Sequence, residues 1–224
     1  IVRDQSLFLK TLRGLVRVSC PTSFGVRYLG PALSGFLCAH PNLTAEVLLN
    51  DRVVNPAEEG YDLVLTDHPM ISGQFQEEPM CDLALVACAA PAYLERHGIP
   101  RTPDDLQRHN CLWITSLPAL RRWPFDTDDG IRVVHISGNI VANNAETVLQ
   151  LAVAGVGITR LTDVIVGDAL RRGALVPVLT EWHHVEPVPL YATYPSGRHL
   201  APKVRAMMDF LVEQFGHTPW RKMR

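Results

Sequence analysis

Residues 14–50, GLVRVSCPTSFGVRYLGPALSGFLCAHPNLTAEVLLN, decide the fold. In the first seven of these residues, apolar and polar side chains alternate, which is typical of a β-strand. Apolar residues then recur at helical spacing from Phe24 to Leu37, and Val47 and Leu49 share one face of a second predicted strand. The stretch therefore predicts strand, helix and strand in succession.

The ends of the helix carry recognisable signals. Thr22 or Ser23 is suited to cap its N-terminus, and His40-Pro41 stops it. Pro31 inside the helix predicts a kink or an early break, because proline has no backbone N–H to donate.

The alternation of strands and helices continues along the chain. Residues 56–60 form a short turn of helix ended by glycine, and residues 61–65 form a strand apolar enough to be buried on both faces. Residues 88–186 repeat the alternation as a second block. This order favours parallel sheets with helices on their faces. The final strand and helix, within 187–216, could complete either block.

Composition excludes several classes of protein. Of the 224 residues, 47% are hydrophobic and 20% are charged, which is ordinary globular composition. The net charge of −2 gives the chain no overall attraction for nucleic acid. The longest apolar run, Leu83–Ala90, is far shorter than the ~20 residues of a membrane helix, so we expect no membrane partner. The five cysteines form no CxxC pair and are expected to be buried thiols in a reducing compartment.

Motifs for catalysis or cofactors are missing from the sequence. His183-His184 are adjacent and would point to opposite sides of a strand, so they do not predict a metal site. Gly155-Val156-Gly157 follows a predicted helix and precedes a strand, the reverse of a dinucleotide fingerprint. We therefore predict no catalytic residue, no metal and no cofactor, and expect that the chain is not an enzyme.

Several segments carry a family resemblance. In order, and with the family's spacing, PAYLERHGIP (91–100), TPDDL (102–106), LRRGALVPVL (170–179) and LYATYP (190–195) resemble the effector-binding domain of LysR-type transcriptional regulators. The resemblance covers essentially residues 14–215. Family members also carry an N-terminal winged helix-turn-helix and a linker helix. This sequence lacks both, and residues 1–13 look like a remnant of the linker.

The resemblance implies a fold class and a division into domains. The expected fold is α/β, with two Rossmann-like subdomains and an inter-lobe cleft, like the type 2 periplasmic binding proteins. It assigns residues 14–87 and 187–216 to subdomain I and residues 88–186 to subdomain II. Residues 217–224 are then a C-terminal tail, which we expect to be solvated.

Polar side chains at strand ends and helix starts are the candidate effector-binding residues, since ligands of open α/β sheets sit at the carboxyl ends of strands. The resemblance implies that they face the cleft, and their polarity permits a carboxylate effector. For Ser23, Asn143 and Asn144, plain helix capping is the alternative. Thr66 stands where many relatives have a basic residue, which argues against an anion-pairing role there. The candidates are Thr22, Ser23, Thr66, Ser116, Asn143 and Asn144.

The implied function is that of a cytoplasmic ligand sensor. A small effector in the cleft would control DNA binding and transcription by the absent N-terminal domain. The chain would form a homodimer, with a tetramer open to the full-length protein, because Val26, Tyr28 and Cys38 lie off the main apolar stripe of the first helix. The alternatives are a periplasmic-type solute-binding protein and a regulator that senses redox state through its cysteines.

Overall fold

The elements follow one another with strands and helices in alternation. The structure, a computed structural model, describes residues 12–52, 54–67, 75–115, 121–185, 188–196 and 200–222. Its strands are β1 (Gly14–Cys20), β2 (Leu43–Leu49), β3 (Leu63–Thr66), β4 (Phe75–Leu83), β5 (Leu85–Ala89), β6 (Cys111–Ile114), β7 (Arg122–Thr127), β8 (Gly130–His135), β9 (Val141–Ala142), β10 (Ile158–Thr162), β11 (Val176–Pro177) and β12 (Val188–Pro195).

The helices lie between these strands. A continuous helical segment, α1, is α-helical over Thr22–Phe24, π-helical over Gly25–Leu29 and α-helical again over Gly30–Ala39. Among the described residues, 3₁₀ segments span Pro103–Arg108 and Thr180–Trp182. The other α-helices are α2 (Pro56–Glu59), α3 (Pro91–His97), α4 (Ala145–Val153), α5 (Asp163–Arg171), α6 (Pro202–Phe215) and α7 (Pro219–Lys222).

The chain divides into two compact units. Unit 1 holds the described residues up to Asp82 and from Pro189 to Pro219, and unit 2 holds those from Leu83 to Val188 and from Trp220 onward. The first change of unit comes five residues earlier than the predicted boundary after residue 87, because β4 continues the sheet of unit 1 almost to its last residue. The chain end also differs from the predicted solvated tail, since Trp220 is buried in unit 2.

Unit 1 is built on a sheet with the strand order β2-β1-β3-β12-β4. β1 pairs in parallel with β2 and with β3, whereas β12 runs antiparallel to β3. Helix α1 packs on α6, with the rings of Phe24 and Phe215 4.9 Å apart and those of Phe36 and Phe210 at the same separation.

Pro31 distorts α1 without ending it. The N–H of Gly30 reaches the carbonyl of Gly25, five residues earlier, and so forms a π-helical turn directly before the proline. Such a turn lets the helix pass a residue that has no N–H. The predicted kink therefore takes the form of a π-bulge, and the helix continues to Ala39.

Unit 2 is built on a sheet with the order β11-β5-β10-β6-β9, accompanied by the β7–β8 hairpin. Alternate residues of its strands join different hydrophobic clusters: Cys111 lies in one cluster and Leu112 in the other. Because successive side chains of a strand point to opposite faces, this sheet carries a core on both faces. Within the described residues, no helix is long and apolar enough to cross a membrane.

Candidate functional site

Three neighbouring strands of unit 1 end at one edge of the sheet. Because β1, β2 and β3 are parallel, the residues that follow them lie side by side at this carboxyl edge. Thr22 and Ser23 follow β1, Asp51 follows β2, and Thr66 is the last residue of β3. The structure thus brings the three predicted residues of unit 1 to the same edge.

The first turn of α1 is capped from another loop. The N–H of Thr22 donates a hydrogen bond of 2.9 Å to Oδ1 of Asp51. The prediction that Thr22 or Ser23 caps the helix is wrong, because both lie inside the first turn and the preceding residue, Pro21, offers no side-chain cap. Asp51 supplies the missing acceptor. The N–H of Thr22 is therefore already bonded to a carboxylate of the chain itself.

Ser23 carries a buried polar group. Its side chain is 6% exposed, and in the part of the chain that the structure describes its Oγ has no hydrogen-bond partner. A buried hydroxyl left unpaired destabilises a fold by about 1–3 kcal/mol. A buried, unpaired polar group in a native protein calls for an explanation, such as strain, an ordered water or ion, or a functional role.

The loop that carries Asp51 is held in place by its first residue. The N–H of Asn50 bonds the carbonyl of Cys20 at 2.9 Å. Its Nδ2 donates to Oγ of Ser19 and to Oη of Tyr61, each at 3.3 Å. These bonds fix the loop against β1, and so fix Asp51 beside Thr22.

An ion pair forms at the residue that follows Asp51. The guanidinium of Arg52 donates to both carboxylate oxygens of Glu59, at 2.9 and 2.6 Å. The hydroxyl of Tyr61 donates to the same carboxylate. Hydrogen bonding to Arg52 lowers the pKa of Glu59, so this group stays ionised and keeps its partners.

Thr66 lies at the same edge, on the opposite side of β1 from Asp51. It pairs with Tyr191 of β12 and is half-buried, and Asp67 follows it. Asp51 and Asp67 place two carboxyl groups among the residues that end these strands. His68, which follows Asp67, lies outside the described residues.

A corresponding edge exists in unit 2. β6 pairs in parallel with β9 and with β10, so the residues after these strands share an edge. Asn143 directly follows β9 and is exposed. Ser116, two residues beyond the end of β6, lies outside the described residues.

Asn144 is engaged in capping. Its Oδ1 accepts a hydrogen bond of 3.0 Å from the N–H of Thr147, which satisfies the first turn of α4. The capping interpretation of Asn144 is therefore confirmed, and effector binding by Asn143 and Asn144 stays a prediction. Each of the two edges belongs to its own unit, and the predicted cleft between the subdomains likewise stays a prediction.

Three of the cysteines are locked in the thiol form. Burial raises the pKa of Cys20, Cys88 and Cys111 to about 12, and the charge of Asp51 adds to the effect at Cys20. These thiols remain protonated and inert at neutral pH. Within the described residues, no group of three His, Cys, Asp or Glu side chains could hold a metal ion.

One known protein family matches nearly the whole chain. The LysR substrate binding domain matches residues 10–216. The chain belongs to this family. An HTH-type transcriptional regulator of Haemophilus influenzae is 33% identical to this LysR chain over 194 residues, which cover 87% of the chain and 67% of the relative. PtxR of Pseudomonas aeruginosa is 32% identical over 213 residues, covering 93% of the chain and 66% of PtxR.

Solved structures of LysR regulators share the fold. The CrgA regulatory domain from Neisseria meningitidis superposes with a TM-score of 0.83 at 26% identity, covering 90% of this chain and 98% of that domain. A second structure of CrgA gives a TM-score of 0.84 at 25% identity, covering 93% of this chain and 72% of that CrgA chain. The predicted α/β fold, like that of the type 2 periplasmic binding proteins, is confirmed.

Membership in the LysR family settles the class of protein. The relatives are named transcriptional regulators, so the chain is a regulatory, effector-binding domain and not an enzyme, as predicted. The chain spans about two thirds of the length of the curated relatives it matches.

Proposed function

We propose that this domain senses a small-molecule effector and thereby controls DNA binding by another part of the same LysR-type regulator. The names of the relatives include a helix-turn-helix, and the chain covers about two thirds of their length. With a net charge of −2, the chain itself has no general attraction for DNA. Effector binding would shift an equilibrium between two arrangements of the sensor, and the DNA-binding part would respond.

The buried, unpaired hydroxyl of Ser23 is the observation that carries the effector site. An effector group that bonds this Oγ would remove the penalty of an unsatisfied buried donor. Thr22 and Thr66, at the same edge, offer further hydroxyl groups. In unit 2 we propose Ser116, Asn143 and Asn144 as contributors.

The carboxylate of Asp51 constrains the chemistry of the effector. We expect a hydroxyl or amino group of the effector near Thr22, because a second carboxylate there would be repelled by Asp51. A carboxylate group of the effector, as predicted from the polar side chains, fits better beside amide and hydroxyl donors away from Asp51. Hydroxy acids and amino acids combine both features.

Assembly and location are part of the same proposal. Val26 and Cys38 of α1 are exposed, and we propose that they lie at a homodimer interface, with a tetramer in the full-length protein. A cytoplasmic location fits a regulator of transcription whose cysteines are free thiols.

The test is a thermal-shift screen with matched variants. A panel of hydroxy acids, amino acids and simple carboxylic acids is added to the wild type, and the best hit is titrated into Ser23→Ala. Loss of one bond to a charged or polar group should weaken binding about 10-fold. Ser34→Ala is the control, because it makes the same change elsewhere on α1, where the hydroxyl bonds Pro31.

Asn144→Asp tests the carboxylate separately. An aspartate keeps the cap of α4 but adds a negative charge, so it should abolish binding of an acid held beside it. If Ser23→Ala binds the hit as tightly as wild type, the site in unit 1 is wrong. If no acid of the panel raises the melting temperature, the carboxylate part of the proposal is wrong.

A further inference from the structure

The end of the chain passes from one unit into the other. Phe215, at the end of α6, is buried against Phe24 in unit 1, whereas Trp220 of α7 is 1% exposed in unit 2. Only residues 216–219 separate the two. The chain therefore changes unit three times, after Asp82, after Val188 and after Pro219.

Both ends of helix α5 are bonded to the C-terminal helix, α7. Nη1 of Arg171, the last residue of α5, donates a hydrogen bond of 2.7 Å to the carbonyl of Trp220. Nε of Arg221 donates to Oδ2 of Asp163, the first residue of α5. Between them, a Cβ on Gly167 would stand 3.8 Å from the carbonyl oxygen of Trp220, an ordinary contact distance, so α7 lies against the middle of α5 as well.

The carboxylate of Asp163 also holds the first crossing. Its Oδ1 accepts hydrogen bonds from the N–H of Ala84 at 3.1 Å and from the N–H of Val164 at 3.0 Å. The N–H of Asp163 in turn bonds the carbonyl of Ala84 at 2.7 Å. Ala84 is the second residue of unit 2 after the first change of unit. One side chain, 14% exposed, thus joins two of the three crossings.

The connection between Phe215 and Trp220 is strained. Thr218 has φ +46°, in the left-handed region that β-branched residues rarely adopt. A conformation of this kind persists only where the surrounding contacts hold it. The N–H of Thr218 bonds the carbonyl of Phe215 at 2.9 Å, and Phe215 and Trp220 are buried at the two ends of the connection.

We infer that α5 is a docking site for the chain's own C-terminal helix and that Asp163 is the positioning residue that couples this docked helix to the first crossing. Trp220, Arg221, Arg171 and Asp163 form the latch. While the latch is closed, the Ala84 segment and the Arg221 side chain are held at the first residue of α5, and the Trp220 carbonyl is held at its last residue. When Arg221 is released, Asp163 loses its ion pair and its hold on Ala84 weakens.

Site-resolved hydrogen exchange tests the latch. In Arg221→Ala, the amide of Ala84 should exchange about five- to tenfold faster, because the carboxylate that bonds it is less restrained. Asp163→Asn keeps an oxygen acceptor for Ala84 but removes the charge that attracts Arg221. It should give a similar acceleration, and the double variant should add little to either single change.

Two comparisons decide the result. Arg172→Ala removes an exposed guanidinium one residue beyond α5 and should leave the exchange of Ala84 unchanged. Amides of β1 in unit 1, such as that of Val18, should also keep their wild-type rates in every variant. The inference is overturned if Ala84 exchanges at the wild-type rate in Arg221→Ala, if Arg172→Ala has the same effect, or if Val18 accelerates equally.

Discussion

Oδ1 of Asp51 accepts the N–H of Thr22 at 2.9 Å across 29 residues of chain. The first turn of α1 is therefore capped by the loop that follows the neighbouring strand and not by a residue beside it. Folding of the helix start is in this way tied to pairing of β1 with β2.

Replacing Asp51 by alanine should destabilise the domain by about 1 kcal/mol, the usual effect of losing a helix cap. Asp51→Asn keeps an oxygen acceptor and should lose less. Urea unfolding measures both. Asp128→Ala, an exposed aspartate in the turn between β7 and β8, is the control and should unfold as wild type does. Equal stability of Asp51→Ala and wild type would show that the cap contributes nothing.

Two glycines should respond in opposite ways to alanine. A Cβ on Gly157 would stand 2.3 Å from the carbonyl oxygen of Asn110, so Gly157→Ala should lower the free energy of unfolding by about 1–3 kcal/mol. A Cβ on Gly35, in α1, meets nothing within 4 Å, and Gly35→Ala should stabilise the domain by about 0.5–1 kcal/mol. Chemical denaturation of the pair checks both signs. A neutral Gly157→Ala would contradict the close packing.

Acid should destabilise unit 2 through His109. Burial lowers the pKa of His109 below its ordinary value of 6.5, and the nearby His97 lowers it further. The unfolded chain then takes up the proton first as the pH falls, so stability is complete above pH 6.5 and declines below it. Unfolding in urea at about pH 7.5 and about pH 5.5 measures this loss.

His109→Gln should reduce that loss, because glutamine has no proton to take up in this range. His135→Gln, at an exposed position of β8, is the matched control and should keep the wild-type pH dependence. A His109→Gln variant with the full wild-type slope would assign the acid sensitivity to other groups, such as His183, whose pKa burial also lowers.

A charge on α1 should disrupt the proposed homodimer. Val26 is 64% exposed, and Val26→Glu would place a carboxylate in an apolar interface. Ile99, 66% exposed in unit 2, gives the control Ile99→Glu. Sedimentation should show a dimer for wild type and for Ile99→Glu, and a monomer for Val26→Glu. A wild type that sediments only as a monomer would reject the dimer.

The features that the sequence predicted best are those determined by residues close together in the chain. The Asn144 cap is an example, because its acceptor and the N–H that it bonds are three residues apart. Asp51 was not among the candidates, since the interaction that places it at the edge spans two strands and leaves no local pattern. Only the register of β1 with β2 brings it to Thr22.

Two further features escaped prediction for physical reasons. Most of β4 was missed because it carries Glu77, Glu78 and Pro79, and an edge strand tolerates charges and proline that would exclude it from the middle of a sheet. The docked C-terminal helix was missed because Trp220 is followed by basic residues, which usually mark a solvated end.

The cysteines differ in exposure, so one of them is a natural site for attaching a label. Cys20, Cys88 and Cys111 are sealed in the core, Cys81 is half-buried, and Cys38 is exposed on α1. A maleimide dye at neutral pH should therefore react at Cys38 before any of the buried thiols. Because the proposed homodimer interface covers Cys38, this reaction should slow as the protein concentration rises and the dimer forms, so the labelling rate reports assembly without an engineered cysteine.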